Sequence, residues 1–285
     1  MLSSRLLLLA AAALWSTAGA AMKLCGLSGW QIAAGRSLVA GLFLLATVRE
    51  SRRRPTLPGL LTSAAYAATV ILFALANKLT TAANAIFIQD TAPVWVLLLS
   101  PWLLGERPAR GELLAVPVFG GGLALFFLDE LSPGQMAGNL VALAAGVTFA
   151  LCMMGLRRAR GDGPAALVIG NLLAAAIALP LWTAGPAARP VDLAIVGYLG
   201  IFQLGLAYLC FARGIAHVPA LEASLLVLLE PVLNPIWTFL LAGERPGPWA
   251  VAGGAVVLAA TAWRTVSPAL VASWRRQSRS PRSAA

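Results

Sequence analysis

Residues 73–108 read FALANKLTTAANAIFIQDTAPVWVLLLSPWLLGERP, and residues 211–246 read FARGIAHVPALEASLLVLLEPVLNPIWTFLLAGERP. The two stretches align without a gap, with 11 of 36 positions identical, among them Ala85/Ala223, Pro93/Pro231, Val94/Val232 and Leu103/Leu241. Both end in the same four residues, Gly105-Glu106-Arg107-Pro108 and Gly243-Glu244-Arg245-Pro246. Equivalent points lie 138 residues apart, and hydropathy divides that interval into five apolar spans. An odd number of crossings turns the second copy upside down. Inverted-topology repeats are a signature of secondary transporters, whose ligand site lies near the midplane between the halves.

Composition points the same way. Apolar residues make up 59% of the 285 and charged residues 11%, against about 25% charged in a soluble domain. So few charges cannot cover the surface of one large soluble core. The net charge of +10 does not indicate nucleic acid. The basic residues cluster in short runs between apolar spans and in the C-terminal tail, with no basic stripe interleaved with aromatics. Cys25, Cys152 and Cys210 are far apart without metal-ligand spacing, and His217 is the single histidine, so no metal and no cofactor is expected.

A membrane helix needs about 20 mainly apolar residues. Ten spans satisfy this approximately: 5–23, 30–48, 58–77, 82–104, 112–128, 135–156, 165–184, 192–212, 219–242 and 248–266. Turn residues separate them, as at Ser132-Pro133-Gly134 and Gly161-Asp162-Gly163-Pro164. The first 20 residues also resemble a secretory signal, with Arg5, an apolar core and small residues at 16–20. Yet Leu8 to Ala18 matches Ala142 to Cys152, with Trp15 on Phe149. A segment repeated internally is expected to belong to the fold.

The expected architecture is therefore an all-α membrane protein of ten transmembrane helices in two inverted five-helix repeats. Residues 1–130 form the first repeat, 131–267 the second, and 268–285 a basic tail. With the N-terminus in the cytoplasm, 16 basic residues fall inside and four outside (Lys23, Lys78, Arg189, Arg245), while Arg36 lies within a span. The positive-inside rule then places both termini in the cytoplasm. The 19 arginines against two lysines point to a GC-rich bacterial genome and hence to the inner membrane.

The chain resembles a drug/metabolite transporter of the EamA type over about residues 5–266. Each half opens with an Ala/Leu-rich helix bearing an aromatic, Leu14-Trp15-Ser16 and Thr148-Phe149-Ala150. Each second helix begins Gly35-Arg36 or Gly170-Asn171, and each fourth carries Pro93 or Pro231 before Gly-Glu-Arg. The resemblance implies a central cavity lined by the first, third and fourth helices of each half. It also implies export of amino acids or other small metabolites. By position it offers Trp15, Phe149, Asp90 and Glu230 as lining. The acids are not symmetry mates, since Asp90 aligns with Leu228 and Glu230 with Ala92.

Asp90 and Glu230 both fall near the bilayer centre. An ionised acid facing lipid there costs roughly 2.5–3.5 kcal/mol, so both are expected to face the interior or a water-filled path. Either binds an ammonium group, a proton or both, or else is hydrogen-bonded to a neighbouring helix or sits higher, among the headgroups. Glu230 and Asn234 are four apart and share a helix face. Pro231 and Pro235 each remove a backbone donor and free a carbonyl one turn earlier. Gln89, next to Asp90, is the best cavity candidate among the neutral polar residues. Asn77, Asn84, Asn171 and Gln203 are expected to hydrogen-bond between helices. Arg36 is expected to snorkel or to make a structural pairing. Glu106 and Glu244 are expected to fix turns at opposite faces, and Glu222, His217 and Arg213 to form a solvated pair or helix-end cap. The glycines at 120–122 and 253–254 are expected to let helices close together, and most tryptophans other than Trp15 to anchor at the interface.

The partners expected are a small-molecule solute, protons where transport is coupled, and the lipid bilayer; a monomer is compatible with the sequence. A phosphate carrier would want several midplane cations. A membrane-embedded enzyme lacks a histidine cluster, a nucleophile motif and a phosphate loop. A non-transporting membrane subunit or sensor is the remaining alternative.

Overall fold

The computed structural model describes residues 2–54, 56–80, 82–108, 110–130, 136–159 and 162–242, with 248–249, 251–253, 255–260 and 263 beyond. Among these residues there is helix and no strand. In chain order the helices are α1 (Leu2–Trp15), α2 (Ala18–Leu24), α3 (Gly29–Thr47), α4 (Leu57–Leu79), α5 (Ala82–Gln89), α6 (Ala92–Leu103) and α7 (Arg110–Glu130). There follow α8 (Met136–Ala159), α9 (Gly163–Ala178), α10 (Pro190–Tyr198), α11 (Ala207–Ile215), α12 (Ala220–Leu226) and α13 (Leu229–Ala242). A π-helical segment, Leu199–Leu206, joins α10 to α11.

Among the described residues, seven stretches are long and apolar enough to cross a membrane: Leu2–Leu24, Gly29–Thr47, Leu57–Leu79, Ala85–Leu103, Met136–Ala159, Gly163–Ala184 and Pro190–Ile215. Local chemistry starts them. Ser28 and Gln31 close a capping box on α3, each side chain accepting from the other's backbone N–H. The Gln31 amide then donates to the carbonyls of Trp182 and Pro186 at 3.0 and 2.8 Å, tying the start of α3 to the chain after α9. Thr56 caps α4, with Pro58 in its first turn.

Several expected single spans are interrupted. The first divides at Ser16-Thr17, where the hydroxyls donate to the carbonyls of Ala13 and Leu14 at 2.7 and 2.8 Å. Such side chains compete for carbonyls that helix N–H groups would otherwise use. The matching helix α8 has Ala150 and Leu151 there and runs unbroken. The fourth span divides at Asp90-Thr91, just before Pro93, and the ninth at Val227-Leu228, just before Pro231. Proline has no N–H, so it leaves the carbonyl four residues back without its helical donor. In α5 that carbonyl belongs to Gln89, and a Cβ on Gly146 of α8 would meet it at 2.9 Å. Glycine thus lets α8 press against the break. Gly122 of α7 likewise admits close approach, where a Cβ would meet Val257 at 2.8 Å; Gly120 and Gly121 face open space.

The interior is dominated by alanine and aliphatic side chains, with aromatics gathered at its centre. Leu8, Ala11, Ala12 and Trp15 on α1 are buried, and α1 packs along α11. Helix α4 packs along α8 and α9, and α3 along α9 and the π-helical segment. Trp15 meets Phe149, Tyr208 and Phe211 at ring-centroid distances of 5.5, 4.7 and 5.1 Å. The repeat-matched Trp15 and Phe149 therefore meet at the centre, packing one copy against the other.

Candidate functional site: a closed polar cavity

Around that aromatic centre lies a cavity lined by Trp15, Arg36, Thr69, Val70, Phe73 and Gln89 from the first copy. Phe149, Gln203, Leu204, Tyr208 and Glu230 line it from the second. Its volume is about 20 Å³, room for about one water. Most of the lining comes from the helices expected from the family resemblance, with α3 added through Arg36.

The expected site residues divide. Glu230, Gln89, Trp15 and Phe149 line the cavity. Asp90 is buried, at 2% exposure, within electrostatic reach of Glu230 but outside the lining, and its Oδ2 has no hydrogen-bond partner. Asn234 is buried one turn beyond Glu230 with its Oδ1 unpartnered, and it too lies outside the lining. Trp15 Nε1 and Gln89 Oε1 are also buried without partners. Buried polar atoms are normally satisfied, so this concentration of open ones marks the centre as the place where a polar guest fits.

Arg36 does not snorkel. It is 0% exposed, because it lies too far along α3 for its stem to reach the headgroups past α4 and the π-helical segment. Its Nη1 donates to Gln203 Oε1 at 3.1 Å and its Nη2 to the Val70 carbonyl at 2.5 Å. The Phe73 ring lies 6.0 Å from the guanidinium carbon, and Nε has no partner. Gln203 sits on the π-helical segment, whose Gly200 packs against Val39 and the Arg36 carbonyl. Its position in the sequence, midway along an apolar span, was the signal available for a cavity role. Of the other expected bridging amides, Asn171 accepts from Tyr66 and so links α9 to α4, while Asn77 stays local and donates to the Phe73 carbonyl. The Asn84 side chain lies outside the described residues.

Both ends of the bundle are tied. At one end Arg5 binds Glu222 at 2.6–2.7 Å, with both side chains buried. Glu222 is thus not the solvated residue expected; α1 covers it and supplies its counter-charge. His217 and Arg213 are exposed, and His217 Nδ1 lies 3.2 Å from the Arg213 carbonyl. Gly105 ends α6 in the left-handed region at φ 69°, which glycine reaches without a Cβ clash. Glu106 then accepts from Arg157 at 2.8 Å and from the backbone N–H of Ala220 at 3.0 Å. It therefore does more than fix a turn: it caps α12 of the other copy. Its counterpart Glu244 lies outside the described residues. At the opposite end Lys23 donates to Thr80, Lys78 to Cys25, and the Gly26 N–H to Asp192.

Trp102 and Trp249 are exposed, as interface anchors would be. Trp237 is not an anchor: it donates to Ser16 at 2.8 Å, at the break between α1 and α2.

An all-helical bundle of apolar spans in two copies, closed around a polar chamber, defines a membrane transporter. The chain belongs to the EamA-like transporter family, whose pattern matches residues 2–128 and again 136–265. Among its relatives, the threonine/homoserine exporter RhtA of Escherichia coli K12 is 26% identical over 85% of this chain and 82% of its own. An uncharacterized transporter of Bacillus subtilis, YwfM, is 27% identical over 89% and 90%. Another, of Archaeoglobus fulgidus, is 27% identical over 69% and 72%. A crystal structure of a protein 20% identical superposes with a TM-score of 0.74, covering 91% of this chain and 95% of its own, so the fold is shared. The family is one of transporters rather than enzymes.

Proposed function

We propose that the protein is a secondary transporter that exports small organic metabolites such as amino acids. In this reading the chain has ten transmembrane helices in two inverted five-helix repeats, residues 1–130 and 131–267, with 268–285 a basic tail. It lies in the bacterial inner membrane with both termini in the cytoplasm. The repeat spacing, the positive-inside count and the relative named as a threonine/homoserine exporter support this reading.

One observation carries it. A polar chamber holding the Glu230 carboxyl is walled by both copies, which are tied to each other at both ends by Arg5–Glu222 and Gly26–Asp192. At about 20 Å³ it is smaller than any amino acid, so it represents a closed stage of the cycle. Rocking of one copy against the other widens the chamber and frees one set of end contacts at a time. Glu230, with Asp90 behind it, supplies the group that takes an ammonium or a proton; Gln89, Asn234, Trp15 and Phe149 shape the rest. Intramembrane acids of this kind mark substrate or proton paths.

The test is solute flux in proteoliposomes. Wild-type protein releases preloaded amino acids, while Glu230→Gln inserts normally and loses at least about tenfold in flux. Wild-type flux from that variant at every pH tested would remove Glu230 from the mechanism.

A further inference from the structure

We propose that Arg36 reads the carboxylate of the transported solute while Glu230 holds its cationic amino group, so that the chamber selects zwitterions. The inference rests on the carrier reading and assigns its ligand contacts.

Arg36 is a fully buried cation in an apolar span. The ion pairs among the described residues are Arg5–Glu222, Arg157–Glu106 and Arg189–Asp192; none involves it. Its two side-chain hydrogen bonds go to neutral acceptors, the amide of Gln203 and the carbonyl of Val70. A guanidinium carries five N–H donors, so three remain, among them the buried and unpartnered Nε–H. Charged side chains inside a membrane protein normally pair with one another or line a ligand path. Arg36 lines the chamber and lacks the pair.

The chamber also holds the complementary charge. Glu230 lines it without an ion-pair partner among the described residues. One cation and one acid, kept apart but facing the same space, match the two ends of an α-amino acid. The guanidinium fork suits a planar carboxylate, which it binds through two parallel N–H groups. The remaining contacts fit this division. Gln203 holds the guanidinium from a π-helical turn, a feature frequent at functional sites. Phe73 covers the guanidinium on one side, and the Trp15–Phe149 pair walls the chamber where a side chain would lie. A phosphate-bearing solute fits poorly, because its charge would meet a single arginine in a chamber that an acid also lines.

The full chain is reconstituted in proteoliposomes loaded with the twenty proteinogenic amino acids, with their methyl esters, with their N-acetyl derivatives, or with inorganic phosphate. Efflux is followed by mass spectrometry or, for phosphate, by isotope. Wild-type protein is expected to move at least one free amino acid about a hundredfold faster than its ester or its N-acetyl form, since each leaves one buried charge unanswered. Arg36→Lys, which keeps the charge and loses the fork, lowers flux of the free acid at least about tenfold and narrows its advantage over the ester. Glu230→Gln narrows the advantage over the N-acetyl form instead. Arg36→Gln extends the series, and the wild-type discrimination stands without it should that variant fail to fold. Equal transport of acid and ester by wild type, unchanged discrimination in Arg36→Lys, or preference for phosphate each overturns the assignment. Flux of some other solute class with no amino acid moved overturns it too, and leaves the carrier reading intact. Absence of flux for every solute in a broad metabolite screen removes both.

Discussion

Single side chains decide how the two copies join. Glu222 sits in the first turn of α12 and Arg5 in the first turns of α1, 217 residues apart, yet they form a buried ion pair. Removing one member of such a pair strands the other charge away from water. Glu222→Gln is therefore expected to lower stability by about 3 kcal/mol, read as earlier thermal unfolding in detergent. The exchange Arg5→Glu with Glu222→Arg recovers much of the loss; if it recovers none, the pair is incidental to stability. Nothing in the local sequence of either residue announces the partner. The sequence places Glu222 at a helix end where water is the natural company, and only the packing of α1 over it excludes that water. Arg36 teaches the same lesson in reverse. Snorkelling is the ordinary fate of a long cation in an apolar span, and what defeats it is the depth of Arg36 along α3 together with the enclosure of α3 by α4 and the π-helical segment.

Breaks in helices follow rules that are partly legible in sequence. Pro93 and Pro231 occupy equivalent places, and both spans break just before them, as a missing N–H requires. The break at Ser16-Thr17 is less obvious. Hydroxyl residues are common in unbroken membrane helices, and here they disrupt the turn because they also serve partners on other helices. Trp237 donates to Ser16, and Tyr198 donates to Thr17 at 2.9 Å. The double variant Ser16→Ala, Thr17→Val gives α1 and α2 the alanine and aliphatic residue type of the unbroken α8. Slower amide hydrogen exchange over residues 16–18 is expected, with solute flux reduced by about tenfold if the break is a hinge. Unchanged exchange would show that packing rather than hydroxyl competition bends the span.

For the whole molecule, the proposed inverted arrangement predicts that equivalent turns lie in opposite compartments. In a chain whose Cys25, Cys152 and Cys210 are replaced by alanine, Arg245→Cys is expected to react with an impermeant maleimide from outside the cell. Arg107→Cys is expected to react only after the membrane is opened. Labelling of both from one side removes the inverted reading and with it the rocking mechanism. The contacts between the copies, Arg5–Glu222 and Glu106–Arg157 at one end and Gly26–Asp192 with Gln31–Trp182 at the other, are the ones such rocking must break alternately.

Class, span composition and repetition were written in the chain, because burial in lipid demands long apolar helices and duplication leaves an offset of 138 residues to read. The central aromatics and the Glu230 carboxyl were legible too, since an acid or a repeat-matched tryptophan at mid-span has few other uses. Which polar groups share the chamber was not. Gln203 and Arg36 are 167 positions apart, and Asp90, though adjacent to Gln89, points behind the wall that Gln89 lines. Helical periodicity assigns a side chain to a face of its own helix; the neighbour that face meets is set by how all the helices pack, and that is a property of the assembled bundle alone.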